Sequence, residues 1–335
     1  MKKIISMIML VMFITLFPYK ISAQEGIQFS VDAILPENQV DDQVTYFHLD
    51  ASDGLKQTLQ VNINNLSKEE ITIQTKLSQA ITNSNGQIQY GNEFKENRYF
   101  QLEHKIEDYI KVNHPQVTIP AESQAQTKIT IDIEPKVLNG LMLGGLNFSM
   151  VEDDKKDSQG IGSVYEYNIA LAINNNSELL KSSKNMNYKG SELILHNYRK
   201  AISLKFVNEE AAILSDLKLK VSITDPQGEM IEQNTKDMEL APNTLFTYPV
   251  LLGKEDIKPG TYKIKIVADS YKQHWEWEDE LIIENTEAKK INKQDVDRVR
   301  IPDFLINLCL VLIIISAFSI IVNIKAIKKE GNRHV

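Results

Sequence analysis

The residues able to do chemistry are few in this sequence, and their spacing assembles no catalytic centre. Six histidines stand at positions 48, 104, 114, 196, 274 and 334, and no spacing sets two of them on one face beside a carboxylate, so no metal-ligand set emerges. His104-Lys-Ile-Glu-Asp lacks the second histidine that a zinc-binding helix requires, and neither a nucleophile elbow nor a phosphate-cradling glycine loop occurs. The acidic runs Asp41-Asp42 and Glu152-Asp153-Asp154 miss the alternating oxygen positions of a calcium loop and read as solvated loops. Trp275 and Trp277, two residues apart, share one face of a strand, where they serve either as a stacking platform for a sugar or peptide or as ordinary sheet-face packing. Such an inventory fits a binding protein rather than an enzyme, and it implies no cofactor and no metal.

The elements that carry these residues are strands. Apolar residues alternate with polar ones in Leu59-Gln60-Val61-Asn62-Ile63, Ile129 to Ile133 and Leu217 to Ile223, and again over Ile27 to Ala33, Tyr165 to Ile173 and Tyr262 to Ala268. A period of two marks half-buried strands, each turning one face to a core. Ser84-Asn85-Gly86-Gln87, Asp225-Pro226-Gln227-Gly228 and Lys258-Pro259-Gly260 supply the turn chemistry of hairpins. The fold class expected is all-β and antiparallel: two tandem immunoglobulin-like β-sandwich domains, residues 24–151 and 160–286, since helical crossovers for a parallel sheet are missing. Tyr99 to Lys111 fits either a short helix or a loop excursion. Glu152 to Gly162 contains no apolar residue before Ile161 and reads as the linker or an exposed hairpin tip, and polar residues 287–303 read as a stalk.

Both ends of the chain carry targeting signals. Lys2 and Lys3 precede an uncharged apolar run from Ile4 to Phe17 and the small-residue sequence Ile21-Ser22-Ala23, the layout of a cleavable signal peptide over 1–23. Phe304 to Ile324 holds no charge; as a helix it measures about 31 Å, enough to span a bilayer. Lys325, Lys328, Lys329 and Arg333 follow, so the tail 325–335 is expected inside the cell and the preceding domains outside, at the cell membrane in single-pass form. Setting aside the seven basic residues and one acidic residue of these two ends, the 37 basic and 45 acidic residues become 30 and 44, a net near −14. A surface that acidic repels phosphate backbones, which excludes nucleic acid as a partner. The only cysteine, Cys309, falls in the expected span, so stability must come from hydrophobic cores without disulfides. No Leu-Pro-x-Thr-Gly precedes the span, and covalent attachment to the wall is not supported.

Phe29-Ser30-Val31, Leu35-Pro36-Glu37-Asn38-Gln39, Tyr46-Phe47 with Leu49, Gln57-Thr58-Leu59 with Val61 and Asn64, Ala80 with Thr82-Asn83, and Asn85-Gly86 with Tyr90 follow one another at telling spacings. They resemble the peptidoglycan-binding domain of WxL-interacting proteins, and Pro135, Gly140 and Met142-Leu143-Gly144-Gly145-Leu146-Asn147-Phe148 resemble its closing segment. Residues from about 160 to 290, followed by one apolar span and a basic tail, are similar to the second, host-binding domain of that family. The resemblance implies a non-enzymatic Gram-positive surface adaptor whose partners are peptidoglycan, a WxL surface protein, a host extracellular-matrix protein or other host ligand, and the membrane. The chain itself has no Trp-x-Leu triplet, which fits the partner rather than the WxL protein. Asn38, Gln39, Asn83 and Tyr90 are the candidate ligand residues, because amide and aromatic side chains beside loops suit a glycan with acetamido groups; turn capping and hairpin packing would use them equally well. A membrane-anchored receptor or sensor without wall binding is the alternative.

Overall fold

The computed structural model describes residues 27–91, 98–99, 101–151, 165–175, 183–271, 273–297 and 311–316. The expected signal peptide, the Glu152–Gly162 linker, the basic tail and all of the expected span except 311–316 lie outside them. Residues 311–316 are helical, and among the described residues no helix is long and apolar enough to cross a membrane.

Alternation becomes two sandwiches. In the first, strands β1 (Phe29–Ile34), β3 (Leu55–Asn65), β9 (Gln124–Ile133) and β7 (Ile110–Val112) lie in one sheet in that order. The facing sheet runs β2 (Phe47–Asp50), β11 (Glu166–Asn174), β10 (Leu141–Met150), β4 (Ile71–Gln79) and β8 (Gln116–Ile119). The inward residues of each strand, among them Leu59, Val61 and Ile63 on β3, Ile129, Ile131 and Ile133 on β9 and Leu146 and Phe148 on β10, merge into one buried core. Each such side chain contributes about 1.5–3 kcal/mol of burial free energy before chain entropy is counted. The sequence pattern called for antiparallel pairing alone, yet β2 runs parallel to β11, with Phe47 opposite Leu171 and Leu49 opposite Ile173. The strand β11 lies beyond the expected linker, in the segment read as opening the second domain. It pairs with β10 from Leu141↔Asn174 to Ser149↔Glu166, and its Ile169, Leu171 and Ile173 belong to the first core. Residue alternation reveals a strand but not its partner, which long-range register decides.

The second sandwich packs a three-stranded sheet, β12 (Met186–His196), β13 (Arg199–Asn208) and β16 (Leu245–Leu251), on a four-stranded one ordered β15 (Met230–Leu240), β14 (Leu214–Thr224), β17 (Gly260–Ser270) and β18 (Gln273–Ile283). Helix α1 (Asn285–Gln294) follows β18 directly. Residues 287–303 read as a solvated stalk, but the first part of that stretch docks on the second sandwich instead: Ala288 and Ile291 enter its core, and Asn292 exchanges two hydrogen bonds with the Ile257 backbone at 2.8 and 2.9 Å. Beyond the helix, Lys200 Nζ meets Asp295 Oδ2 at 2.5 Å, with both side chains sealed from water, and the Val296 N–H donates to the Tyr198 carbonyl at 3.0 Å.

A hairpin of β5 (Ile81–Thr82) and β6 (Ile88–Gln89) leaves the end of β4 and joins the two sandwiches. The Thr82 hydroxyl donates to Thr244 Oγ1 at 2.9 Å and accepts from the Ala241 N–H at 3.0 Å, while the Glu239 N–H donates to the Gly86 carbonyl at 2.8 Å. Gly86 adopts φ +72°, and a Cβ there would collide with Met238, so glycine is required twice over. Ala80, Leu141, Leu143 and Ala172 of the first domain bury against Ile213 and Ala241 of the second. This joint explains why β10 is buried on both faces along most of its length.

Candidate functional site

Within the stretch from Tyr99 to Lys111, which the sequence left open between helix and loop, the described residues Ile106–Asp108 form a 3-10 turn leading into β7, and this turn borders a surface cleft of about 460 Å3. Buried Gln79 holds the turn in place. Its Oε1 accepts from the Ile106 N–H at 3.0 Å, and its Nε2 donates to the Leu143 carbonyl at 3.1 Å. Ile106 is fully buried in the first core, which leaves Glu107 and Asp108 exposed on the rim. Tyr109 is fixed from two sides: its carbonyl accepts from the Asp132 N–H at 2.9 Å, and its hydroxyl meets His104 Nδ1 at 2.7 Å, with the two rings edge to face.

The cleft continues onto the outward face of β9, the strand hydrogen-bonded to β7 in the same sheet. Thr130 donates to Asn113 Oδ1 at 2.9 Å, and Asp132 stands 3.2 Å from Lys56 Nζ. Hydrogen bonds and charge from Glu134 and Asp132 push the Lys56 amine above its usual range. Carboxylates, an amide, hydroxyls, Lys111 and a tyrosine thus line one open groove. Such a lining offers donors and acceptors to a polymer rich in hydroxyl and amide groups. Sequence reading missed this site because its residues come from the outward positions of β9 and from a turn with no periodicity. The alternation itself, which sends Thr130 and Asp132 outward, is the signal that could have found them.

None of the four residues nominated from the sequence lines the cleft. Asn38 is exposed in the turn after Pro36, where the Gln39 N–H donates to the Pro36 carbonyl at 3.0 Å. Gln39 is engaged by its own loop: Nε2 donates to the Asp41 and Tyr46 carbonyls at 3.0 and 2.8 Å, and Oε1 accepts from the His48 N–H at 3.2 Å. Asn83 caps the β5–β6 turn, its Oδ1 accepting from the Asn85 and Gln87 N–H groups at 2.9 and 3.1 Å. Tyr90 lies over Gly145, where an added Cβ would sit 2.7 Å from the Tyr90 Cβ. Burial first, then the nearby Tyr46 and Glu239, pushes its hydroxyl up to about 12. Gln39, through Tyr46, and Tyr90 meet at the joint between the domains, where Tyr46 and Tyr90 pack on the same apolar cluster; Asn38 stays on the surface.

The Trp275 and Trp277 rings are stacked in parallel, 6.4 Å apart and 7° from coplanar, and Trp277 approaches Phe206 and Tyr188 at 5.8 and 6.1 Å. Both tryptophans are half-buried and pack against the second core. Among the described residues no group of three or more His, Cys, Asp or Glu is placed to hold a metal ion.

Residues 29–150 match the WxL Interacting Protein, peptidoglycan binding domain, and residues 156–293 match the WxL Interacting Protein, host binding domain, in that order. The chain belongs to the WxL Interacting Protein family. The resemblance read from the residues of the first half and from the architecture of the second falls on the same two regions. No curated protein matches the chain. Among solved structures, the YadV chaperone aligns at 12% identity over 76% of this chain and 100% of its own, with a TM-score of 0.33. The Salmonella enterica SafA pilin in complex with the SafB chaperone aligns at 12% over 78% and 99%, with a TM-score of 0.31. The E. coli chaperone DraB aligns at 13% over 76% and 99%, with a TM-score of 0.29. At these scores neither function nor partners transfer from the chaperones to this WxL Interacting Protein.

Proposed function

We propose that this protein is a non-enzymatic surface adaptor of a Gram-positive cell, tethered by a transmembrane helix at 304–324, that holds peptidoglycan with its first domain and a WxL protein or a host extracellular ligand with its second. The observation that carries this reading is the tandem match of a peptidoglycan binding domain and a host binding domain over residues 29–293. The cleft beside Tyr109 is the glycan-facing surface in this reading, since its amide, hydroxyl and carboxylate groups suit acetamido sugars and peptide stems. Asn38 remains the one nominated residue that is exposed to a ligand. Immunoglobulin-like topology, the cleaved signal peptide and the cytoplasmic tail complete the architecture. Sedimentation of the ectodomain with stripped peptidoglycan tests the first half of this reading. Retention of a purified WxL protein on immobilised ectodomain tests the second; if neither is captured, a receptor without wall binding is the better description.

A further inference from the structure

The second domain exposes large apolar side chains unevenly. Tyr198 is 73% exposed in the β12–β13 turn, Val296 is 61% exposed just after α1, and Met230, Leu251 and Ile282 are exposed at the first residue of β15, the last of β16 and the penultimate of β18. All five strand and turn positions fall at one end of the sandwich, the end opposite the joint. The Val296 N–H donates to the Tyr198 carbonyl at 3.0 Å, so the segment after α1 runs beside the β12–β13 turn. At the joint end only Tyr271 is comparably exposed among the described residues of that domain. Tyr198 also sits at φ +62° after Asn197 at φ +50°, a turn that suits Asn-Gly and costs a bulky residue about 1 kcal/mol or more. A strained, exposed aromatic at a turn tip has no packing reason within the domain.

Chain length supplies the reason. The Lys200–Asp295 contact and the Arg199–Asp297 pair at 3.2 Å pin the chain to this end through residue 297. Only residues 298–303 separate that point from the uncharged run at 304, and six residues reach at most about 20 Å even when fully extended. The end of the domain is therefore drawn to the headgroup layer, where tyrosine and aliphatic side chains partition favourably. We infer that this end of the second domain docks on the phospholipid surface through Tyr198, Val296, Met230, Leu251 and Ile282, so that the ectodomain stands directly on the membrane without a flexible stalk. Lys254 and Lys258 flank Glu255 and Asp256 in the adjoining loop and the charges balance, so apolar contact rather than net charge makes the attachment.

The inference rests on the tether proposed above. It is tested with the full chain, Cys309→Ser, in lipid nanodiscs that hold one copy each, carrying an environment-sensitive nitrobenzoxadiazole label at Tyr198→Cys or, as control, at Tyr271→Cys. The expected result is a blue-shifted emission and several-fold protection from iodide at position 198 but not at 271, in both zwitterionic and anionic discs. Adding Val296→Ser and Met230→Ser is expected to remove the protection. A chain retained in the discs with both labels equally quenched overturns docking while the tether stands. Protection confined to anionic discs overturns apolar attachment. A chain that does not enter the discs removes the tether, and the docking with it.

Discussion

Asp295→Asn is the substitution with the largest expected effect on the membrane-proximal half of the molecule. Lys200 and Asp295 have side chains 1% and 0% exposed, and Lys200 Nζ has in addition the Lys254 carbonyl at 3.2 Å. Burial alone would discourage the Asp295 carboxylate. The Lys200 hydrogen bond, the Asp297 N–H and the Lys200 charge outweigh that penalty and hold the carboxyl below its usual range. Neutralising one partner leaves a buried ammonium without a counter-charge, a loss of about 3–5 kcal/mol. For a domain of this size that corresponds to a fall of roughly 10 °C or more in Tm. The ectodomain is followed by urea unfolding, and α1 by trypsin cleavage at Lys289, Lys290 and Lys293, which should accelerate as the helix undocks. Replacing both partners, Lys200→Met with Asp295→Leu, should recover most of the loss, because the pair's desolvation disappears with its attraction. The sign with pH follows from the depressed carboxyl. Its stabilisation is complete above the unfolded value of about 3.9 and is lost as pH falls through the lower folded value, so the double variant should lack that acid limb. A change within about 1 kcal/mol for Asp295→Asn, with α1 still resistant to trypsin, would refute the reasoning.

Other perturbations act elsewhere. A fragment ending at Val151 lacks β11 and with it the buried Ile169, Leu171 and Ile173, so it should be unfolded or aggregated by circular dichroism and gel filtration. Gly86→Ala should loosen the joint, because the positive φ and Met238 both oppose a Cβ, and small-angle scattering should show a more extended ectodomain. Burial holds the His48 imidazole below its ordinary 6.5 despite the opposing charges of Asp41 and Asp50. Stability should therefore be full above that value and decline as pH falls below it, and His48→Gln should flatten that decline in thermal melts. Asn113→Ala with Asp132→Ala, both exposed, should leave stability within about 1 kcal/mol yet weaken pelleting with peptidoglycan several-fold.

Strands such as Leu59–Ile63 and Ile129–Ile133 were legible because one face of each meets a core and the other meets water. The partners of β11 were not, since alternation carries no register information across a break of some 15 residues. The helix α1 hid in a polar run because only Ala288, Ile291 and Asn292 are buried, too few to mark a helical stripe. The joint hid for the opposite reason: Leu141, Leu143, Ile213 and Ala241 look like ordinary core residues until two domains are brought together. Asn83 and Tyr90 drew notice as loop amide and loop aromatic, and the structure employs them in turn capping and packing at that joint. The cleft residues Asn113, Thr130 and Asp132 are polar outward positions, indistinguishable by type from any solvated face.

The most direct test of the central claim is co-sedimentation of the intact ectodomain, residues 24–303, with insoluble peptidoglycan freed of proteins and teichoic acids. The account predicts saturable pelleting that the Asn113→Ala, Asp132→Ala variant shows several-fold more weakly and that soluble wall fragments compete away. An ectodomain that stays in the supernatant at every peptidoglycan concentration, while folded by circular dichroism, would contradict it.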